Sequence, residues 1–222
     1  MKKMITVAHL KGGVGKTSFA QNLALYLANV QGEKVLALDC EPVQKSLEIF
    51  FRDRADKLQT HELTCQNKSH PKGLALEIQH LAKDFERTVI DVGGKDSDAL
   101  RQVLIASEVL IIPTNCGQES LDSLDELFQI IDMVKGVNAG LAVYIVLNQC
   151  PIDGKDTTGD NVYSWLTERY KDDATILKTR FKHRKAWLNC RFALQTIFEG
   201  KKGEATFEFN RFIKELKVCE VI

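Results

Sequence analysis

The chain is predicted to fold as an α/β protein, a mostly parallel twisted sheet with helices on both faces. Three observations predict it. Apolar runs of strand length stand at residues 4–9, 34–39, 87–91, 109–113 and 142–148. Stretches with apolar residues at helical spacing lie between them. The first run, helix and second run follow in the order of a right-handed βαβ unit, which places its strands side by side and parallel.

Taken in order, residues 4–9 read as a buried strand and lead into the glycine turn Gly12, Gly13, Gly15. Glycines there allow positive φ angles and close approach to an anion. Phe19, Ala20, Leu23, Ala24, Leu27 and Ala28 then mark one face of a helix over 16–31, which Gly32 stops. Residues 34–39 form a second buried strand ending on Asp39. The polar stretch 52–71 reads as a helix end, an edge strand and a loop to Pro71, and 74–85 as an amphipathic helix. A third strand, 87–91, ends on Asp91 before Gly93 and Gly94. A capped helix over 96–106, a fourth strand over 109–113, an acidic helix over 119–134 and a fifth strand ending on Asn148 follow. Beyond a loop at 151–159 come a helix over 162–170, a short strand over 174–177, a basic segment at 180–187 and a final amphipathic helix over 207–218.

Composition narrows the class. The 222 residues are 44% hydrophobic and 27% charged, ordinary for a globular protein, and are expected to form one domain over 1–222 with a basic helical part at about 180–222. No run approaches the length of a membrane-spanning helix, and the N-terminus lacks the apolar core of a signal peptide. Six scattered cysteines without a C-x-x-C pair suit reduced thiols, so a cytoplasmic location is expected. Net charge is zero but uneven. Residues 84–132 carry eleven acidic against three basic residues, and 178–222 eleven basic against five acidic. That asymmetry points to a polyanion-binding face near the C-terminus.

The chemistry centres on Lys11-Gly12-Gly13-Val14-Gly15-Lys16-Thr17-Ser18. A glycine loop between a strand and a helix N-terminus aims backbone N–H groups and the positive end of the helix dipole at an anion. Lys16 would add charge on the β/γ-phosphates and the Thr17 hydroxyl would bind Mg²⁺. The ordinary phosphate-loop spacing would put its first glycine at Leu10; here an extra lysine, Lys11, stands beside the glycines instead.

This stretch resembles the deviant Walker A motif of the ParA/MinD family of P-loop ATPases, and the resemblance extends over about 4–218. It implies that ATP and Mg²⁺ are bound and that Lys11 reaches the phosphates held by the partner subunit of an ATP-sandwich homodimer. Lys11, Lys16 and Glu41 are then the catalytic candidates. Gly12, Gly13, Val14, Gly15, Thr17 and Ser18 join them around the nucleotide, and Thr17, Asp39 and Asp91 around the metal. Asp39 to Ser46 resembles the family's switch I, with Glu41 where the family has an aspartate that positions the attacking water, and with Gln44 shifted by one residue. Asp91, Gly93 and Gly94 resemble Walker B and switch II. Asn148 resembles an adenine-reading asparagine, although a strand-end asparagine is also a common turn former. Arg184, Lys185 and Arg191, with Lys201 and Lys202 behind them, are candidates for non-specific DNA contact.

The resemblance implies slow, dimerisation-dependent ATP hydrolysis that drives plasmid or chromosome partition, stimulated by a ParB-like centromere-binding adaptor. A MinD-like or pilus- and secretion-positioning ATPase, or a weakly hydrolysing nucleotide-switched scaffold, is the alternative. An iron–sulfur reductase sharing the loop would need paired cluster cysteines. The final helix is expected to pack rather than insert stably in a membrane, because Glu208, Glu215 and Glu220 oppose an anionic bilayer.

Overall fold

A computed structural model describes residues 4–59 and 61–222. Among the described residues, seven parallel strands form one sheet: β1 (Met4–Val7), β2 (Val35–Asp39), β3 (Thr64–Asn67), β4 (Arg87–Asp91), β5 (Val109–Thr114), β6 (Ala142–Cys150) and β7 (Thr175–Lys182). Their spatial order is β3-β2-β4-β1-β5-β6-β7. The expected strand at 174–177 runs on through Lys182, so Arg180 and Lys182 of the basic segment belong to the sheet.

The helices are α1 (Lys16–Asn29), α2 (Ser46–Leu58), α3 (Leu74–Leu81), α4 (Asp98–Ala106), α5 (Gln118–Lys135), α6 (Thr158–Arg169), α7 (Lys185–Phe192) and α8 (Glu204–Val218). The sequence pattern missed most of α2, whose amphipathic face is interrupted by Arg52, Asp53 and Arg54. Strand residues alternate between two cores. Ile5, Val7, Val35, Ala37, Val109 and Ile111 pack under α1, α2 and α8. Leu36, Leu38, Ile90, Leu110 and Ile112 pack under α3, α4, α5 and α6. Burial on both faces is why these strands read as unbroken apolar runs.

Phe19, Phe181 and Phe212 meet edge to face, with centroids 4.9 to 5.6 Å apart. This cluster joins α1, β7 and α8, so the apolar face of α8, Phe209, Phe212, Ile213 and Leu216, is buried inside the protein. Among the described residues, no helix is long and apolar enough to cross a membrane. A second tie lies at the edge. The Arg54 guanidinium, with its side chain 4% exposed, bonds both Glu62 and Glu199 and so joins α2 to the segment before α8.

The central strand β1 has β4 on one side and β5 on the other. Strand order reverses here, and ligands of such sheets bind beyond the carboxyl ends of the strands at that point. The turn after β1 occupies it.

Candidate functional site

At the carboxyl end of β1 the chain turns through Gly13 (φ 79°) and Gly15 (φ 101°) into α1. Gly12 is not in the left-handed region, so two rather than three of the loop glycines use the conformational freedom expected of them. Gly15 needs it twice over, because a Cβ there would also collide with the Asn148 side chain. No side chain caps α1 and its first turn holds no acidic residue, which leaves its N–H groups and positive dipole end for an external anion.

The loop opens into a cleft of about 1160 Å³, lined by Gly12, Gly13, Gly15, Lys16, Thr17 and Ser18 on one side. Cys40 to Gln44, Asp91 to Ala99, Gln149 and Arg191 line most of the rest. Val14 is fully buried behind the loop. Lys16 Nζ donates to the Lys11 carbonyl at 3.1 Å. Burial holds the Lys16 amine below its ordinary pKa, while Asp91 and Glu41 pull the other way.

Thr17 and Asp91 form the polar centre. The Thr17 hydroxyl donates to Asp91 Oδ2 at 2.6 Å, and Asp91 Oδ1 is buried without a partner. Burial is the main cause that pushes the Asp91 carboxyl up to about 7, with Asp39 and Glu41 adding to it and the Thr17 hydroxyl opposing it. A hydroxyl and a buried carboxylate with an open oxygen beside a phosphate loop fit Mg²⁺. That ion takes hard oxygens, and in phosphate sites one or two protein groups suffice.

Asp39 pairs in register with Asp91 but is differently committed. Its Oδ1 accepts the Glu41 N–H at 2.9 Å, and its Oδ2 accepts the N–H groups of Leu47 (2.9 Å) and Glu48 (3.0 Å). It is the anion at the N-terminus of α2, and it shapes the loop that carries Glu41. The Glu41 carboxylate lies over Gly93, where a Cβ would strike it. A Cβ on Gly94 would likewise press on Lys16 Nζ and the Leu10 carbonyl, so the loop after β4 lies directly on the phosphate loop.

Lys11 points elsewhere. Its amine pairs with Glu119 in the first turn of α5, and its side chain is 42% exposed. Asn148 is brought to the loop as a strut, with Nδ2 donating to the Val14 carbonyl at 2.7 Å. Its neighbour Gln149, absent from the sequence candidates, does the same for the Gly13 carbonyl at 2.8 Å. Only its place near the carboxyl end of a strand could have marked it.

The three DNA candidates are separated. Arg184 donates to buried Glu208 of α8 at 2.8 and 3.0 Å. Arg191 faces the cleft. Lys185 is exposed. Arg211, Lys214 and Lys217, not singled out in the sequence, share the exposed face of α8.

A model of the CobQ/CobB/MinD/ParA nucleotide-binding domain matches residues 5–183. An ATP-binding protein of Methanocaldococcus jannaschii is 29% identical over 160 residues, which is 60% of this chain and 57% of that protein's length. A Borrelia burgdorferi plasmid partition protein bound to AMPPNP superposes with a TM-score of 0.74 at 21% identity, covering 98% of this chain and 99% of that one. The septum site-determining protein MinD of Pyrococcus horikoshii, complexed with Mg-ADP, superposes at 0.76 with 17% identity, over 97% and 96% of the two chains. At these identities the superpositions speak for the fold.

Proposed function

This chain belongs to the CobQ/CobB/MinD/ParA nucleotide-binding family, and from that premise we propose that it is a ParA-like ATPase, a single nucleotide-switched unit that partitions DNA. The observation that carries the reading is the Thr17–Asp91 pair, with one open carboxylate oxygen, at the uncapped start of α1 beside Lys16.

Lys16 and the amides of residues 12–17 would hold the phosphates, and Thr17 and Asp91 the Mg²⁺. Bound Mg-ATP supplies the phosphoryl group and the cation that offsets its charge. Glu41 would accept or orient a proton of the attacking water at its carboxylate. Asp39 serves as a positioning residue instead of the Mg²⁺ ligand the sequence suggests, because the backbone N–H groups of Glu41, Leu47 and Glu48 take up both of its oxygens. Lys11, tied to Glu119 outside its own cleft, would exchange that carboxylate for the phosphates of a second copy. Two copies would then close over two nucleotides.

Non-specific DNA contact is assigned to the exposed cations Lys185, Lys201, Lys202, Arg211, Lys214 and Lys217. Arg184 stands outside that set because Glu208 neutralises it, and Arg191 because it lines the nucleotide cleft. A ParB-like adaptor would stimulate hydrolysis, in a cytoplasmic, nucleoid-associated setting. The test is mass by light scattering with ATP against ADP, for wild type and Lys11→Ala, alongside turnover. An ATP-dependent dimer whose turnover is lost in Lys11→Ala is expected. Unchanged turnover in that variant would falsify the cross-subunit role.

A second reading, a weakly hydrolysing scaffold, draws on one observation: Glu41 is one methylene longer than aspartate and rests on Gly93. Single-turnover hydrolysis with and without DNA separates the two, and a rate indistinguishable from buffer favours the scaffold.

A further inference from the structure

Cys116 and Cys150 are 34 residues apart in sequence, yet their sulfurs are 3.9 Å apart. They lie just beyond β5 and at the end of β6, neighbouring parallel strands in which Thr114 pairs with Leu147. Cys150 is fully buried, with its sulfur packed on Gly159 of α6, and Cys116 is partly exposed. The two thiols flank a chain of hydrogen bonds. The Gly117 N–H donates to Asn115 Oδ1 at 2.9 Å, Asn115 Nδ2 to Gln149 Oε1 at 3.3 Å, and Gln149 Nε2 to the Gly13 carbonyl at 2.8 Å. Each cysteine is the next residue after a member of that chain, and Gln149 is held at φ 55°.

We propose that Cys116 and Cys150 are a dithiol site that a peroxide converts to a disulfide, and that this oxidation weakens the hold of the cleft on nucleotide. The second half rests on the nucleotide reading above, whereas the first does not.

The step balances. The Cys116 thiolate attacks one peroxide oxygen, forms an S–O bond and expels hydroxide as the O–O bond breaks. The Cys150 thiol attacks the resulting sulfenic acid, the S–S bond forms, and water leaves with the proton from Cys150. Two thiols have then lost two electrons and two protons, and hydrogen peroxide has become two waters.

Cys116 is suited to the first role. The hydrogen bond it shares with Cys150 is the largest cause that lowers its pKa to about 7, and Lys182 and Arg180 act in the same direction. Burial raises the thiols of Cys40, Cys65, Cys190 and Cys219 instead. Forming the bond draws the sulfurs to about 2.05 Å. Cys150 is wedged against α6, so the displacement falls on the turn at Cys116 and Gly117. That turn anchors Gln149, and through it the Gly13 carbonyl. It also leads into the first turn of α5, where Glu119 holds Lys11.

The test treats reduced full-length protein with equimolar hydrogen peroxide, followed by peptide mapping without reduction. A fluorescent ATP analogue with Mg²⁺ reports nucleotide affinity before and after. A Cys116–Cys150 disulfide is expected as the first product, with affinity weakened about tenfold and restored by dithiothreitol. Cys116→Ala, at a partly exposed position, should resist oxidation and keep its affinity. Cys150→Ala should accumulate a sulfenic acid that dimedone traps on Cys116. Absence of that disulfide, earlier oxidation of another cysteine, or a disulfide that leaves affinity unchanged would overturn the proposal. If the reduced protein binds no nucleotide, the functional reading fails, and the peptide map still decides the thiol pair.

Discussion

The Thr17 hydroxyl donates to Asp91 Oδ2 at 2.6 Å, while Asp91 Oδ1 is buried and unpartnered. A charge so placed opposes folding and favours a cation. Asp91→Asn should therefore raise the melting temperature of the nucleotide-free protein by several degrees, about 2–4 °C for each kcal/mol regained. It should also abolish the further rise produced by Mg²⁺ with ATP. Calorimetry with and without Mg-ATP checks both signs.

The two loop lysines should separate by phenotype. Lys16 lines the cleft and Lys11 does not, so Lys16→Ala should lose nucleotide binding, measured by titration with a fluorescent analogue. Lys11→Ala should bind nucleotide and lose turnover. Its broken pair with Glu119 is solvent-exposed and should leave the unfolding midpoint essentially unchanged.

Arg54 is a structural anchor. Its truncation leaves two partly exposed carboxylates without their cation, and Arg54→Ala should lower stability by about 1–3 kcal/mol. A fall in the urea midpoint, with the loss reduced in an Arg54→Ala/Glu199→Gln double variant, is the expected result.

His9 sets a pH response. Burial, with Lys16 adding to it, lowers its pKa from 6.5 to about 4, and its Nδ1 accepts the Lys11 N–H at 2.9 Å. The unfolded chain binds that proton first. Stability due to neutral His9 is therefore complete above pH 6.5 and is lost as pH falls toward 4, by about 3 kcal/mol in all. His9→Asn should remove this rise with pH and leave the opposite slope set by the raised Asp91 carboxyl, measured by urea unfolding from pH 4 to 7.

The basic residues should divide between DNA affinity and folding. Lys214→Ala and Lys217→Ala should each weaken DNA binding uniformly across sequences and reduce the salt slope by about 1. Arg184→Ala should instead destabilise the fold, because it strands buried Glu208. Fluorescence anisotropy over a salt series, paired with melting curves, distinguishes the two.

Local pattern revealed much of this chain. The strands at β1, β2, β4, β5 and β6 are continuous apolar runs because both of their faces are buried, and such runs survive in one dimension. α2 was largely hidden, since Arg54 stands on its buried face, and its carboxylate partners Glu62 and Glu199 are 8 and 145 residues away. Asn148 was legible as a strand-end amide, but nothing local says that it supports Val14.

The sequence by itself determined the phosphate loop, the parallel sheet and the acidic residues at the strand ends, because each depends on neighbours a few residues apart. The tertiary structure alone decided which partner each charge or thiol meets. Arg184 turned inward to Glu208, Lys11 reached Glu119, and Cys116 came to lie beside Cys150. Those pairings follow from how strands order themselves in the sheet and how helices cover it, and spacing along the chain carries no record of either.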